Sequence, residues 1–291
     1  MTWTNARVAA ALLANLLVAT LLVTGCGAEP AIPPPGAPAD AGTPSSAQVP
    51  TGEPRALPIY YVTDTPAGFR LYREFHRVTT ADPASDAVRE MLAEPTGEDP
   101  DYRTLWPAGT ALRVPVTAEN AMITVDLTSE ASGPAMIGSE AAELTVQQLV
   151  FTVHGALQST DPVRLLVDGA PVAELWGSVP TADPVRRADQ YAVRSLVQID
   201  APAHGARVGR TVEVSGEAAV FEATVPWEIL RGDTVVRSGF TMSAQGQRFA
   251  PFSFTVTLEP GEYMLRVMED DPSDGEGRPP FTDNKTITVT G

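Results

Sequence analysis

The hydrophobic pattern changes once along this 291-residue chain, near residue 195. Between residues 57 and 178, short β-prone runs alternate with two segments whose apolar residues have the spacing of an amphipathic helix. From 195 to 291, only short β-type runs separated by turn residues remain. The change predicts two domains of different class, an α+β domain over 57–178 and an all-β domain over 195–291. The residues between them, 179–194, have no periodicity and are predicted to be a connection.

The first helix of the α+β domain has a clear start, because Asp82 can cap it and Pro83 suits the first helical position. Its apolar stripe runs from Ala84 to Leu92. The second helix is predicted from Ser139 to Leu157, with acidic residues in its first turn. Strands are predicted over 58–62, 69–78, 112–116, 121–127 and 163–167, followed by a turn and a short return over 171–173. The predicted order is ββαββαβ.

The all-β domain contains seven predicted strands, which favours an immunoglobulin-like sandwich. They cover 196–199, 211–220, 223–230, 234–242, 252–258, 263–269 and 285–289. The chain has one cysteine, so the disulfide of antibody domains is excluded. Trp227 is predicted to fill the core position that such domains give to tryptophan.

The single cysteine, Cys26, follows an N-terminal apolar run. Arg7 precedes the run Val8 to Val23, and the small residue Gly25 comes directly before the cysteine. This arrangement resembles a bacterial lipobox, in which the cysteine is lipidated and becomes the mature N-terminus. We therefore predict a lipoprotein signal peptide over 1–25, cleaved between Gly25 and Cys26. An uncleaved N-terminal anchor and an ordinary secretory peptide are the alternatives.

A lipid at Cys26 would hold the protein on the extracytoplasmic face of the cell membrane, and both alternatives also place the rest of the chain outside the cytoplasm. Residues 26–56 are rich in proline and glycine and cannot bury enough apolar surface to fold, so they are predicted to be a linker. Twenty basic residues against 36 acidic ones give a net charge of −16. This charge repels phosphate backbones, so nucleic acid is excluded as a general partner.

The α+β region resembles the GerMN domain, which is named from spore-germination proteins. The resemblance rests on the order and spacing of five segments over 57–178. They are Ile59-Tyr-Tyr-Val62, 84–92, Ile123-Thr-Val-Asp-Leu127, 140–157 and Leu165-Leu-Val-Asp-Gly169.

The all-β region resembles the Gmad2 immunoglobulin-like domain over 195–290. The segments that carry the resemblance are Ile199-Asp-Ala-Pro202, 214–216, Val220-Phe-Glu-Ala-Thr-Val225, 250–252 and 269–275. Together the two resemblances imply an envelope lipoprotein that acts through contacts with other envelope proteins, without catalysis. The process they imply is sporulation or germination, or envelope signalling.

The residues themselves provide little chemistry. His76, His154 and His204 are isolated in sequence, no motif of a hydrolase or phosphate loop occurs, and neither an enzyme activity nor a cofactor is predicted. His154 is interpreted as a surface or helix-terminal residue. The acidic run 269–276 departs from a calcium loop at two ligand positions, so a solvated loop is the favoured interpretation, with calcium as the alternative.

Trp106, in a Leu-Trp-Pro-Ala-Gly segment, is the aromatic residue most suited to an exposed loop, although a core position is the favoured interpretation for it. An exposed tryptophan could stack on a sugar or a small ligand. The alternative function is therefore binding of cell-wall glycan, with peptidoglycan as a possible ligand and Trp106 as the candidate contact.

Overall fold

In the computed structural model, the first domain begins with a long antiparallel hairpin, β1 (Glu53–Thr65) and β2 (Gly68–Thr80). The structure describes residues 52–134, 137–270 and 276–291. The predicted signal peptide, Gly25, Cys26 and most of the predicted linker lie outside these residues. All described residues belong to one compact unit.

Two helices pack against the hairpin and a small sheet. The helices are α1 (Pro83–Ala93) and α2 (Ser139–Leu157), and the sheet contains β3 (Thr117–Glu119), β4 (Met122–Leu127), β5 (Val163–Val167) and β6 (Ala170–Pro171) in that order. Asp82 caps α1 by accepting a hydrogen bond from the Ser85 amide at 3.2 Å, as its sequence predicts. Most residues of α2 are buried, so this helix forms the centre of the domain core.

Three predictions for this region need correction. The predicted strand over 112–116 is a single bridge between Leu112 and Leu127, because Pro115 cannot donate a ladder hydrogen bond. β1 begins at Glu53, four residues ahead of the predicted start of folded sequence. The connection is not free of structure, since it contains β8 (Val179–Pro180), which pairs with β7 (Glu174–Leu175), and the short helix α3 (Gln190–Val193).

The second domain is a sandwich of two sheets, as predicted. The larger sheet has the order β10-β16-β15-β12-β13 and the smaller one β14-β11-β9. The strands are β9 (Val197–Ala201), β10 (Ala206–Val208), β11 (Thr211–Ala218), β12 (Thr224–Arg231), β13 (Thr234–Met242), β14 (Ala250–Thr257), β15 (Gly261–Met268) and β16 (Thr282–Val289).

All seven predicted strands are present, and β10 is an addition too short to predict. The core consists mainly of valine, isoleucine, leucine and phenylalanine from both sheets. Trp227 is half-buried and stacks on Phe254 with ring centroids 4.7 Å apart, so it packs at the margin and does not fill the core alone.

Among the described residues, no helix combines the length and the apolar character that a membrane crossing requires.

Candidate functional site

Two strands of the larger sheet depart from the usual rule that apolar side chains are buried and charged ones exposed. β16, next to one edge, buries two charged residues against the first domain. β13, at the other edge, exposes large apolar residues. Buried charges and exposed apolar patches are the informative exceptions in a folded protein, so these two places are the candidate sites.

The buried charges follow from the alternation of β16. Side chains of a strand alternate between faces, so Asp283 and Lys285 share the inward face with Ile287 and Val289. Lys285 is the only lysine of the chain and is 2% exposed. At this end of the sandwich the inward face meets the loop after α1, so the partners of both charges come largely from the first domain.

The contacts of Lys285 and Asp283 form one network with that loop. Lys285 Nζ donates a hydrogen bond to Asp99 Oδ2 at 2.9 Å and lies 3.8 Å from the centroid of the Tyr102 ring. The Tyr102 hydroxyl donates to Asp283 Oδ1 at 2.8 Å, and the Ile199 amide donates to Asp283 Oδ2 at 2.6 Å. Lys285 Nζ and Asp283 Oδ1 are 3.9 Å apart. We call Asp99, Tyr102, Asp283 and Lys285 the interdomain cluster.

Further polar groups hold Asp99 in place. The Asp101 amide donates to Asp99 Oδ1 at 3.0 Å, and His204 Nδ1 lies 3.3 Å from Asp99 Oδ2. The buried carboxylate of Glu74 accepts hydrogen bonds from the amides of Glu98 and Asp99 at 2.9 and 2.8 Å. The loop after α1 is therefore held by Glu74 of the first domain as well as by its contacts with the second domain.

Burial dominates the electrostatics of the interdomain cluster. It raises the pKa of Asp283 to about 6, because Lys285 and the two hydrogen bonds only partly offset the loss of water. Burial also raises the pKa of the Tyr102 hydroxyl, and the neighbouring Asp283 carboxylate adds to this effect. Tyr102 is therefore neutral and serves as a donor.

A second set of ion pairs joins the domains beside this cluster. Arg73 of β2 pairs with Asp200 at 2.7 Å and lies 3.6 Å from Glu217. Arg194, at the end of the connection, is buried and pairs with Glu217 at 2.5 Å. Two neighbouring sets of ion pairs therefore join the domains, the interdomain cluster and the pairs of Arg73 and Arg194.

The exposed apolar residues lie at the edge strand. Phe240 is 69% exposed and Met242 is 53% exposed, and both are on the outer face of β13 opposite Pro226 and Thr224 of β12. Phe221, 46% exposed, lies in the turn that leads into β12. We call Phe221, Phe240 and Met242 the β13 patch.

The turn beside the β13 patch has an unusual backbone. Glu222 and Ala223 have φ angles of 50° and 62°, a region that residues other than glycine seldom adopt. The turn is held by hydrogen bonds from the Ser243 amide to the Ala223 carbonyl and from the Gln247 amide to the Val220 carbonyl, each 2.8 Å long. These bonds hold the turn that carries Phe221 next to β12.

Trp106 does not present a surface to a ligand. It is 6% exposed and packs edge-to-face on Trp176, with centroids 5.2 Å apart, in the core of the first domain. The core position favoured for this tryptophan is therefore confirmed, because the loop folds inward around its large apolar ring, and the alternative of an exposed residue is wrong. A role of Trp106 in ligand binding stays a prediction.

The histidines and the acidic run also have structural partners. His154 is buried near the end of α2 with Nε2 2.8 Å from the Asp161 carbonyl oxygen, so it is not on the surface. His76 lies between Glu74 and Glu90. Within the described residues no three histidine, cysteine or acidic side chains are grouped to hold a metal ion. Positions 271–275 lie outside those residues, and Glu269 before them pairs with Arg278 at 2.7 Å.

A cleft of about 780 Å³ opens next to the interdomain cluster. Tyr72, Asp99, Tyr102 and Asp283 form its inner wall, and Phe69 lies in its lining. Its size suits a small ligand.

Sequence reasoning missed the interdomain cluster because its members are far apart in the chain. One signal was available, since Asp283 and Lys285 occupy the same alternating positions as the apolar residues Ile287 and Val289. The β13 patch gave no signal, because its strand has an ordinary β-type composition.

The sequence matches two family models. Residues 58–173 match a family described as sporulation and spore germination, and residues 196–276 match the immunoglobulin-like domain of bacterial spore germination. No curated protein matches the chain in sequence.

Among solved structures, the chain is similar to the tandem GerMN domains of the sporulation protein GerM from Bacillus subtilis. The identity is 16% and the TM-score 0.37, over 70% of this chain and 61% of that chain. It is also similar to fibronectin(III)-like modules of Clostridium thermocellum CbhA, with 23% identity and a TM-score of 0.23, over 32% of this chain and 93% of that chain.

The matched ranges fall within the two domains described above and agree with the resemblances seen in the sequence. The chain therefore contains a GerMN domain of the sporulation and spore germination family, followed by a Gmad2 immunoglobulin-like domain of bacterial spore germination.

Proposed function

We propose that this protein is a lipid-anchored component of the cell envelope that works without catalysis, by binding another envelope protein at the β13 patch. The process is of the sporulation or germination type, or envelope signalling. The observation that carries the proposal is the exposure of Phe240 and Met242 on an edge strand.

An edge strand with exposed apolar side chains has two means of binding. Its outward backbone N–H and C=O groups can pair with a strand of a partner. Its aromatic and methionine side chains are of the types enriched at the centres of protein interfaces. Phe240 and Met242 are the most exposed of the large apolar residues that the structure describes, and exposed apolar surface of this kind favours protein binding over simple solubility.

The charge distribution supports the same surface. The chain has 36 acidic residues, yet the segment 234–258, which includes β13 and β14, contains neither aspartate nor glutamate. It contains Arg237 and Arg248. No carboxylate of this segment therefore repels an acidic partner.

The anchor rests on Cys26 and the apolar run before it. A thioether-linked diacylglyceryl group supplies two acyl chains, which hold a protein on a membrane stably where one chain does not. We expect Cys26→Ala to release the protein from the membrane fraction or to leave it unprocessed. A variant that remains membrane-bound at the mature size would contradict the anchor.

Crosslinking in cells tests the partner. A photoreactive residue is placed at Phe240 of the full chain, and at the exposed Glu213 of β11 as a matched control. We expect a discrete adduct from position 240 and none from position 213. Equal adducts from both positions, or none from position 240, would refute the β13 patch as the binding site.

Binding of a small ligand or a glycan in the cleft of about 780 Å³ beside the interdomain cluster is the second candidate function. The aromatic and carboxylate lining of the cleft resembles that of sugar-binding surfaces in residue type. The full chain should then be retained on purified peptidoglycan, and Phe69→Ala should weaken retention. Retention no greater than that of an unrelated acidic protein would remove this candidate.

A further inference from the structure

The chain has 19 arginines and one lysine, and the lysine is the buried Lys285. The two cations differ in chemistry. A guanidinium group stays protonated in proteins and is not a nucleophile, whereas a primary amine can lose its proton when buried and attack a carbonyl carbon. Lys285 is therefore the only side chain of this sequence whose primary amine could attack a carbonyl carbon.

The amine lies in contact with a carboxyl group that is equally removed from water. Lys285 Nζ is 2.9 Å from Asp99 Oδ2, and Asp99 is 1% exposed. The carbon that an amine would attack is bonded to this oxygen. The Tyr102 ring covers the amine from one side at 3.8 Å. Reactants that a protein holds in an attack geometry have effective concentrations on the order of 10⁵–10⁸ M, which can drive a condensation that is unfavourable in dilute solution. The fold supplies the first requirement, because it holds the amine and the carboxyl group side by side away from water.

We propose that Lys285 and Asp99 condense to an isopeptide bond that joins the two domains covalently. The nitrogen lone pair of Lys285 attacks Cγ of Asp99 and a C–N bond forms. The C–O bond to Oδ2 breaks, and this oxygen leaves as water with one proton from the amine and the proton of the carboxyl group. No electron is gained or lost, so no oxidant or reductant is needed.

The neighbouring side chains suit the proton transfers of this reaction. Asp283 Oδ1 lies 3.9 Å from Lys285 Nζ and can carry the proton that the amine loses. Burial raises the pKa of Asp283 to about 6, so it can both take up and release a proton near neutral pH. His204 Nδ1 lies 3.3 Å from the leaving oxygen Oδ2 and makes no hydrogen bond within the described residues, so this polar atom is free to approach the departing water.

Condensation also removes an energetic burden. Two opposite charges buried at a domain interface lose their hydration, and this loss can exceed their mutual attraction. A neutral amide between the same side chains has no such penalty. The bond would keep the domains together even when the surrounding contacts open.

The single lysine makes the test direct. The full chain is purified, denatured and treated with an amine-reactive N-hydroxysuccinimide ester, and a second sample is digested with trypsin. We expect no label at residue 285 and no cleavage after it. The digest should contain a branched peptide joining Glu90–Arg103 to Val267–Gly291, lighter by one water than the sum of both, since trypsin does not cut before Pro279.

Asp99→Ser is the control, because it removes the carboxyl group and should give a labelled, cleavable Lys285. The wild-type result decides the proposal without any variant. Linear peptides and full labelling of Lys285 in the denatured wild-type protein would overturn it.

The role of Asp283 has its own test. Chains obtained unfolded are refolded, and the branched peptide is followed with time. We expect Asp283→Asn to slow its appearance at least tenfold, within the range that a positioned acid or base contributes. Equal rates in this variant and the wild-type protein would overturn the assignment of proton transfer to Asp283.

Discussion

β16 and β13 belong to the same sheet and break the same rule in opposite directions. β16 turns Asp283 and Lys285 inward, and β13 turns Phe240 and Met242 outward. The inward charges meet partners from the first domain, whereas the outward apolar residues have no such cover in the described part of the chain. The difference shows that buried charged residues can mark an interface that the chain itself fills, and the exposed apolar residues are the corresponding candidate for an interface with a partner.

The two strands should also differ in how much their side chains contribute to stability. Each charge of the interdomain cluster has a short-range partner, so the loss of one partner leaves a buried charge unpaired. The side chains of the β13 patch remain exposed to water in the folded protein, so the loss of one of them removes few contacts. The same kind of substitution should therefore have very different effects at the two strands.

Asp99→Ala should have the largest effect. It leaves Lys285 without its carboxyl partner and also removes the proposed isopeptide bond. The loss of a buried pair alone costs about 3–5 kcal/mol of the free energy of unfolding. The measurement is denaturant unfolding of the full chain. Glu259→Ala is the matched control, since Glu259 pairs with Arg210 at an exposed site and should contribute little. Similar values for the two variants would mean that the interdomain cluster does not stabilise the protein.

Tyr102→Phe should have the next largest effect. It keeps the ring over Lys285 but removes the hydroxyl that donates to Asp283 Oδ1 at 2.8 Å. A buried acceptor without its donor costs about 1–3 kcal/mol. Tyr191→Phe, at an exposed tyrosine, is the control in the same unfolding experiment. An unchanged free energy of unfolding in Tyr102→Phe would show that the hydrogen bond is not needed.

The contribution of His76 to the free energy of unfolding should depend on pH. His76 contacts Glu74, whose carboxylate holds the loop of the interdomain cluster. Burial lowers the pKa of His76, but its hydrogen bonds to Glu74 and Glu90 outweigh this and leave the pKa above 6.5. The histidine therefore stabilises the fold fully below pH 6.5, and this contribution is lost as the pH rises through the higher value in the folded protein. His154 does not interfere above pH 6.5, because burial lowers its pKa.

The magnitude of this effect is limited by water, because the Glu90 side chain is 41% exposed and its attraction is screened. The free energy of unfolding, measured from pH 7 to 9 so that Asp283 with its pKa of about 6 is already ionised, should decrease in the wild-type protein and stay nearly flat in His76→Gln. Parallel curves for the two proteins would show that His76 is not the titrating group.

Local signals in the sequence were sufficient for most of the fold. Asp82 and Pro83 mark the start of α1, the apolar stripes identify both long helices, and alternation identifies the seven strands of the sandwich. Each of these signals acts within a few residues. The strand predicted at 112–116 was wrong because β-propensity outweighed Pro115, which cannot donate a ladder hydrogen bond.

The candidate sites could be predicted only in part, because they depend on contacts between distant segments. Asp99 and Lys285 are 186 residues apart, and only the packing of the two domains brings them together. The burial of Trp106 depends on Trp176 in the same way. The exposure of Phe240 follows from the position of β13 at the edge of the sheet, which strand composition does not encode.

Phe240→Ser should have the smallest effect on stability and the clearest effect on binding. The side chain is largely exposed, so the free energy of unfolding should change by no more than about 0.5 kcal/mol. With a photoreactive residue at position 242, the adduct formed in cells should be lost when Phe240 is serine, because the aromatic anchor is gone. Thr255→Ser, on the smaller sheet, is the control and should leave the adduct unchanged. A loss of stability comparable to that of Tyr102→Phe would mean that β13 already packs within the chain, and the contrast between a filled and an open interface would not hold.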